Sequence, residues 1–125
     1  MSMVLFVDIN DVCRAPLAAR LYEQGHGGAA HSAGVYAFPG AALGDAVRPA
    51  ELDGHTAQLL SGAMLDKAER VWCVTAAIAC HLSAQYPQHA HKIRAIDDVP
   101  DPFGGGREAY LACAQQLRAQ LEELL

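Results

Sequence analysis

The run Val4-Leu5-Phe6-Val7 is wholly apolar, is four residues long and ends abruptly at Asp8. A short apolar run with no polar alternation fits a strand buried on both faces, and such strands belong to parallel sheets covered by helices. A polar loop follows from Asp8 to Arg14. Pro16 then stands where the first turn of a helix tolerates proline, and Leu17, Leu21 and the intervening alanines continue that helix to about Gln24. Gly25, Gly27 and Gly28 end it.

The same alternation repeats down the chain. Strands are expected at His31–Tyr36, Val71–Val74 and Ile93–Ile96, with helices at Ala63–Arg70, Ala76–Tyr86 and Arg107–Leu125. Asp45–Thr56 is ambiguous and is expected to hold at most a short helix broken near Pro49. Leu111, Leu117, Leu121, Leu124 and Leu125 fall at spacings that would line the buried face of the last helix. The expected fold is therefore α/β, a three-layer α/β/α arrangement around a four-stranded parallel sheet. The length of 125 residues suits one domain spanning 1–125.

Composition narrows the function classes. With 52% hydrophobic and 18% charged residues, the chain can bury an ordinary core. A net charge of −5 and the absence of a basic stripe argue against nucleic acid as a partner. No apolar run approaches the roughly 20 residues that span a bilayer, so neither a membrane partner nor a membrane location is expected, and the chain is read as cytoplasmic. Cys13, Cys73, Cys80 and Cys113 form no CxxC pair and no zinc-like spacing with histidine, so they are read as reduced thiols and no bound metal is expected. Cys73, Cys113 and Trp72 are expected in the core. His81, His89 and His91 are expected on a solvated surface rather than around a metal.

In such sheets ligands sit at the carboxyl ends of the strands. The loop after the first strand is an anion cradle in outline: successive backbone N–H groups and a helix N-terminus face one point. Arg14, at its end, could grip two oxygens of a phosphate in a fork.

The residues around this loop carry a resemblance. Val4-Leu5-Phe6-Val7, the loop, and Cys13-Arg14-Ala15-Pro16-Leu17-Ala18 resemble the opening of the low-molecular-weight protein tyrosine phosphatases, which reads VLFVC-x5-R-[ST]-P-[ML]-A. Ser32-Ala33-Gly34 is similar to the family's second strand. Gly54-His55-Thr56-Ala57-Gln58-Leu59 is similar to its GHxAxxL segment. Asp98-Val99-Pro100-Asp101-Pro102-Phe103-Gly104 resembles its DxPDPxG loop. The resemblance implies the family fold, phosphate-ester chemistry without a cofactor, and a phosphorylated or anionic small-molecule or protein ligand. It also implies roles: Arg14 for the phosphoryl oxygens, Asp101 as general acid, and Ile9, Asn10, Asp11, Val12 and Cys13 as the phosphate loop. Phe103, Tyr36 and Phe38 would border the cleft, and His55 would brace the loop.

The pattern breaks at its centre. Asp8 stands where the family has its attacking cysteine, with the five-residue spacing to Arg14 kept. No other cysteine restores the motif, because the sixth residue after Cys13, Cys73, Cys80 and Cys113 is Ala19, Ala79, Tyr86 and Ala119. The family's loop asparagine is Asp11, a neighbouring glycine is Asn10, where a turn needing positive φ would be strained, and the hydroxyl residue after the arginine is Ala15. A carboxylate keeps the sign of a thiolate but lacks its soft nucleophilicity. Its two oxygens are expected to fold back onto the loop N–H groups and onto Arg14. The extra charge of Asp11 at about 4 Å would cost roughly 4 kcal/mol per unit of phosphate charge at an effective dielectric of about 20.

Three functions compete. One is a pseudophosphatase, catalytically impaired and acting as a binding or regulatory module. A second is an enzyme of altered chemistry, with Asp8 as nucleophile or with Asp8, Asp11 and Asp101 gathering magnesium; Phe6-Val7-Asp8-Ile9-Asn10 also resembles the opening of the haloacid dehalogenases. The third is an arsenate-reductase-like protein, suggested by the Cys73–Cys80 spacing. It is disfavoured because those enzymes also need the loop cysteine.

Overall fold

The structure is a computed structural model that describes residues 3–124. β1 (Met3–Asp8) is the hub of a four-stranded parallel sheet ordered β2-β1-β3-β4, with β2 at Ala29–Gly34, β3 at Ala68–Cys73 and β4 at Ile93–Ala95. β1 lies between two hydrogen-bonded neighbours, and Leu5, Phe6 and Val7 are fully buried, as in a parallel sheet whose two faces are covered by helices. The four-stranded parallel α/β architecture read from the sequence is present.

α1 (Arg14–His26) follows β1, α2 (Gly62–Lys67) precedes β3, α3 (Ala76–Gln85) follows β3, and α4 (Gly106–Leu124) closes the chain. The β1-to-β2 connection steps one way along the sheet and the β3-to-β4 connection steps the other. Right-handed crossovers therefore put α1 and α3 on opposite faces. α4 packs on α1. Where the chain direction reverses, between β1 and β3, a crevice opens at the carboxyl ends of the strands.

Local chemistry sets the helix ends. Gly27, at φ 72°, closes α1 by returning its N–H to Glu23 O. Thr75 Oγ1 accepts the Ile78 N–H at the start of α3. Asp98 reaches the same terminus and accepts the Ala76 N–H at 2.8 Å.

Several boundaries differ from the sequence reading. β2 begins and ends two residues earlier than expected, because its pairing partner β1 ends at Asp8, opposite Gly34. Tyr36 lies beyond the sheet. The predicted helix Ala63–Arg70 stops at Lys67, since Ala68 to Arg70 are drawn into β3. Between Asp45 and Thr56 only a short 3-10 turn forms, at Ala50–Leu52. The buried face of α4 is Tyr110, Cys113, Ala114, Leu117 and Leu121, whereas Leu111 is exposed. Leu124 packs against the core edge, and Leu125 lies outside the described residues. Cys73 and Cys113 are buried; Trp72 is partly buried against the core.

Candidate active site

The loop from Asp8 to Cys13 joins the end of β1 to α1, and its shape is fixed from β2. The Val35 N–H donates to Asp8 O at 3.0 Å and the Tyr36 N–H to Ile9 O at 2.8 Å. Gly34 makes this approach possible. A Cβ there would stand 2.5 Å from Ile9 O and 2.8 Å from both Asn10 C and Asp11 N.

Asp8 is 3% exposed, and both of its carboxylate oxygens are engaged. Oδ1 accepts the Asp11 N–H at 2.6 Å and Oδ2 accepts the Ala15 N–H at 2.8 Å. Cys13, the residue before α1, supplies no side-chain cap, so Asp8 satisfies the helix terminus from across the loop. The side chain thus occupies the N–H groups that would otherwise face an anion. Burial pushes its pKa up to about 6, against the opposing pull of the Ala15 and Asp11 N–H groups; the Asp11 charge raises it further and Arg14 lowers it.

Asp11 turns away from this point. Its φ of 54° is the left-handed conformation, the one positive φ outside glycine among the described residues. The strained turn expected at Asn10 therefore falls at Asp11, a residue type that tolerates it. Asp11 is fully buried, with Oδ2 accepting the Gln58 N–H at 2.8 Å and Oδ1 lacking a hydrogen-bond partner. Burial raises its pKa, opposed by the nearby Ser32 hydroxyl, the Gln58 N–H and His55. His55 Nε2 lies 2.8 Å from Asp11 O and 3.6 Å from Asp11 Oδ2.

Arg14 is buried and donates from Nη1 to Val99 O at 2.9 Å. The expected hydrogen bond from Arg14 to Asp8 is replaced by this one, because the Asp8 oxygens are already turned to the backbone. The Val99 N–H in turn donates to Val74 O, which fixes the Asp97–Gly106 loop over the crevice. Asp101 is exposed at its tip, with Oδ1 accepting the Phe103 N–H at 3.1 Å. Cys13 lies against Cys113 of α4. That contact, then burial, pushes its thiol above the ordinary range, so it is a neutral packing group.

Asp8, Asn10, Val12, Cys13, Arg14 and Asp101 line a half-open pocket with room for roughly one water molecule. Larger grooves lie elsewhere, such as one of about 250 Å³ between the ends of α1 and α4. Tyr36, Phe38 and Phe103 are 66%, 80% and 83% exposed. The Tyr36 ring lies 6.4 Å from that of His81.

The magnesium arrangement does not form. The Asp8 oxygens face backbone N–H groups and Asp11 points to Gln58, and no group of three His, Cys, Asp or Glu among the described residues could hold a metal. His89 instead pairs with Asp66 at 2.7 Å. Cys73 is fully buried, unsuited to a shuttling thiol, and burial pushes it up to about 12. Gln58, Gly34 and Val99 complete the site, although the sequence reading gave them no role. Their only sequence signal was membership in the matched segments.

The family profile of the low molecular weight phosphotyrosine protein phosphatases matches residues 3–125. A protein-arginine-phosphatase of Bacillus subtilis (strain 168) is 29% identical, covering 98% of this chain and 91% of that protein. The structure of a low molecular weight protein tyrosine phosphatase from T. tengcongensis superposes at a TM-score of 0.86 with 27% identity, covering 99% of this chain and 97% of the other. The YwlE arginine phosphatase in a cysteine-to-serine form, with its active-site serine phosphorylated, shares the fold at a TM-score of 0.86 and 24% identity, covering 98% and 92%.

Proposed function

Because this chain belongs to the low molecular weight phosphotyrosine protein phosphatase family, we propose that it is a catalytically impaired member, a binding or regulatory module whose cleft addresses a phosphorylated or otherwise anionic ligand. The single observation that supports this is the position of Asp8. Its oxygens hold the Asp11 and Ala15 N–H groups at 2.6 and 2.8 Å, and the half-open pocket beside them has room for roughly one water molecule.

In the family reaction a thiolate attacks phosphorus, the loop arginine holds the phosphoryl oxygens and the late aspartate protonates the leaving atom. Here Arg14 and Asp101 stand at the matching positions. The attacking sulfur is replaced by a carboxylate, a harder and weaker nucleophile, which also fills the space a phosphoryl group would need. The scaffold is retained and its central step is lost.

The test is a phosphatase assay of the wild type beside an Asp8→Cys/Asp11→Asn double variant, on phosphoarginine and phosphotyrosine peptides. Turnover confined to the variant supports the proposal, and the preferred peptide names the ligand class. An inactive variant that is correctly folded counts against a phosphatase-derived cleft.

A second reading is favoured by one observation. In the cysteine-to-serine arginine phosphatase, an oxygen at the attacking position carries the phosphoryl group. Asp8 would then attack phosphorus through a carboxylate oxygen, the bond from phosphorus to the leaving atom would break, and Asp101 would give that atom its proton. Water would cleave the resulting acyl phosphate to inorganic phosphate and free Asp8. Hydroxylamine trapping of a phosphorylated wild type, lost in Asp8→Asn, separates this reading from the first.

A further inference from the structure

We propose that the Asp8 carboxylate acts as a built-in anion that closes the loop to outside oxyanions, and that protonating it opens the loop, making this an acid-gated oxyanion site. The inference rests on reading the loop as an oxyanion cradle, and adds how that cradle is regulated.

The geometry sets the competition. The N–H groups of Asp11 and Ala15, the latter at the start of α1, are two donors of the loop, and the Asp8 oxygens take both. The half-open pocket beside Asp8 has room for roughly one water molecule, so an external oxyanion that engages those donors competes with the side chain for them. A charged Asp8 opposes this twice, by holding two charge-assisted hydrogen bonds and by repelling the incoming anion. A neutral carboxyl group is a poorer acceptor and repels nothing, so it can swing aside at lower cost.

The surroundings favour the neutral form. Arg14, Cys13 and Asp101 line the same pocket, and Asp11 stands next along the loop. Behind Asp11 lies His55, and behind Cys13 lie Cys113 and Tyr110 of α4. Arg14, the cation of this set nearest Asp8, spends one guanidinium N–H on Val99 O instead of on Asp8. Burial without a direct ion pair raises the Asp8 pKa to about 6, so the change of state falls in a mild pH range.

Sulfate is the probe, because its charge is constant through this range. Its affinity is measured by titration calorimetry at about pH 5 and about pH 7.5, for the wild type, Asp8→Ala and Asp8→Ser. If only the neutral form admits the anion, the wild type binds at least about tenfold more tightly at the lower pH, with a ceiling of about thirtyfold from the change in neutral fraction. Asp8→Ala, and Asp8→Ser should the alanine variant fold poorly, bind at both pH values within about threefold.

Independently, the amide signals of Asp11 and Ala15 in the wild type shift with a midpoint near pH 6. Equal wild-type affinity at both pH values, with tight binding by the variants, overturns the gate while leaving the cradle intact. An acid-dependent rise that persists in both variants assigns the effect to another group and also overturns it. Failure of the folded variants to bind at either pH overturns the cradle reading itself.

Discussion

Asp8 and Ala15 are joined across the loop. A carboxylate oxygen at the end of β1 accepts, at 2.8 Å, the backbone N–H of the second residue of α1. One residue thus ends a strand, caps a helix and fills an anion cradle, and its charge is carried in a buried place.

That burial has a consequence for stability. The Asp8 pKa is raised from 3.8 to about 6. A raised carboxylate binds its proton more tightly in the folded state, so its contribution is most favourable below pH 3.8 and is lost as pH rises through about 6. At about 1.4 kcal/mol per unit, the loss is of order 3 kcal/mol. Urea unfolding of wild type and Asp8→Asn between pH 4 and pH 7.5 should show the difference moving toward the Asn variant by about 2–3 kcal/mol. A difference that does not vary with pH would count against the buried charge.

Asp11→Asn should stabilise the protein at neutral pH by about 1 kcal/mol. The change removes a buried carboxylate whose Oδ1 has no partner, keeps an acceptor for the Gln58 N–H, and suits the φ of 54°. A higher urea midpoint with an unchanged slope is the expected result; a lower midpoint contradicts it.

Gly34→Ala should be destabilising by roughly 1–3 kcal/mol or more, the usual range for overpacking. The new methyl group would meet Ile9 O at 2.5 Å, and backbone cannot rotate away as a side chain can. Loss of the Tyr36-to-Ile9 hydrogen bond, read as faster amide exchange at Tyr36, would localise the damage to the loop. Unchanged stability and exchange would disprove the close approach.

The strand-helix alternation was legible because β1 is buried on both sides and therefore written in apolar residues alone. α4 was legible as a helix but less so as a face, since both Leu111 and Leu117 fit its spacing. Packing on α1 selects Leu117, so Leu117→Ala should cost about 2–5 kcal/mol and Leu111→Ala about 0.5 or less. Within the site, the spacing of Asp8 and Arg14 was legible and the direction of their hydrogen bonds was not. Arg14 finds Val99 across 85 residues of chain, and Gly34 meets Ile9 across 25; such partners are set by the sheet order, which no local pattern encodes.

The most direct measurement is metal-free steady-state turnover of an aryl phosphate and a phosphoarginine peptide by the unaltered protein and by Asp8→Asn at neutral pH. Both proteins are expected to release phosphate at the same rate, indistinguishable from buffer. Clear release by the unaltered protein that disappears in Asp8→Asn would contradict this, because the carboxylate would then be attacking phosphorus.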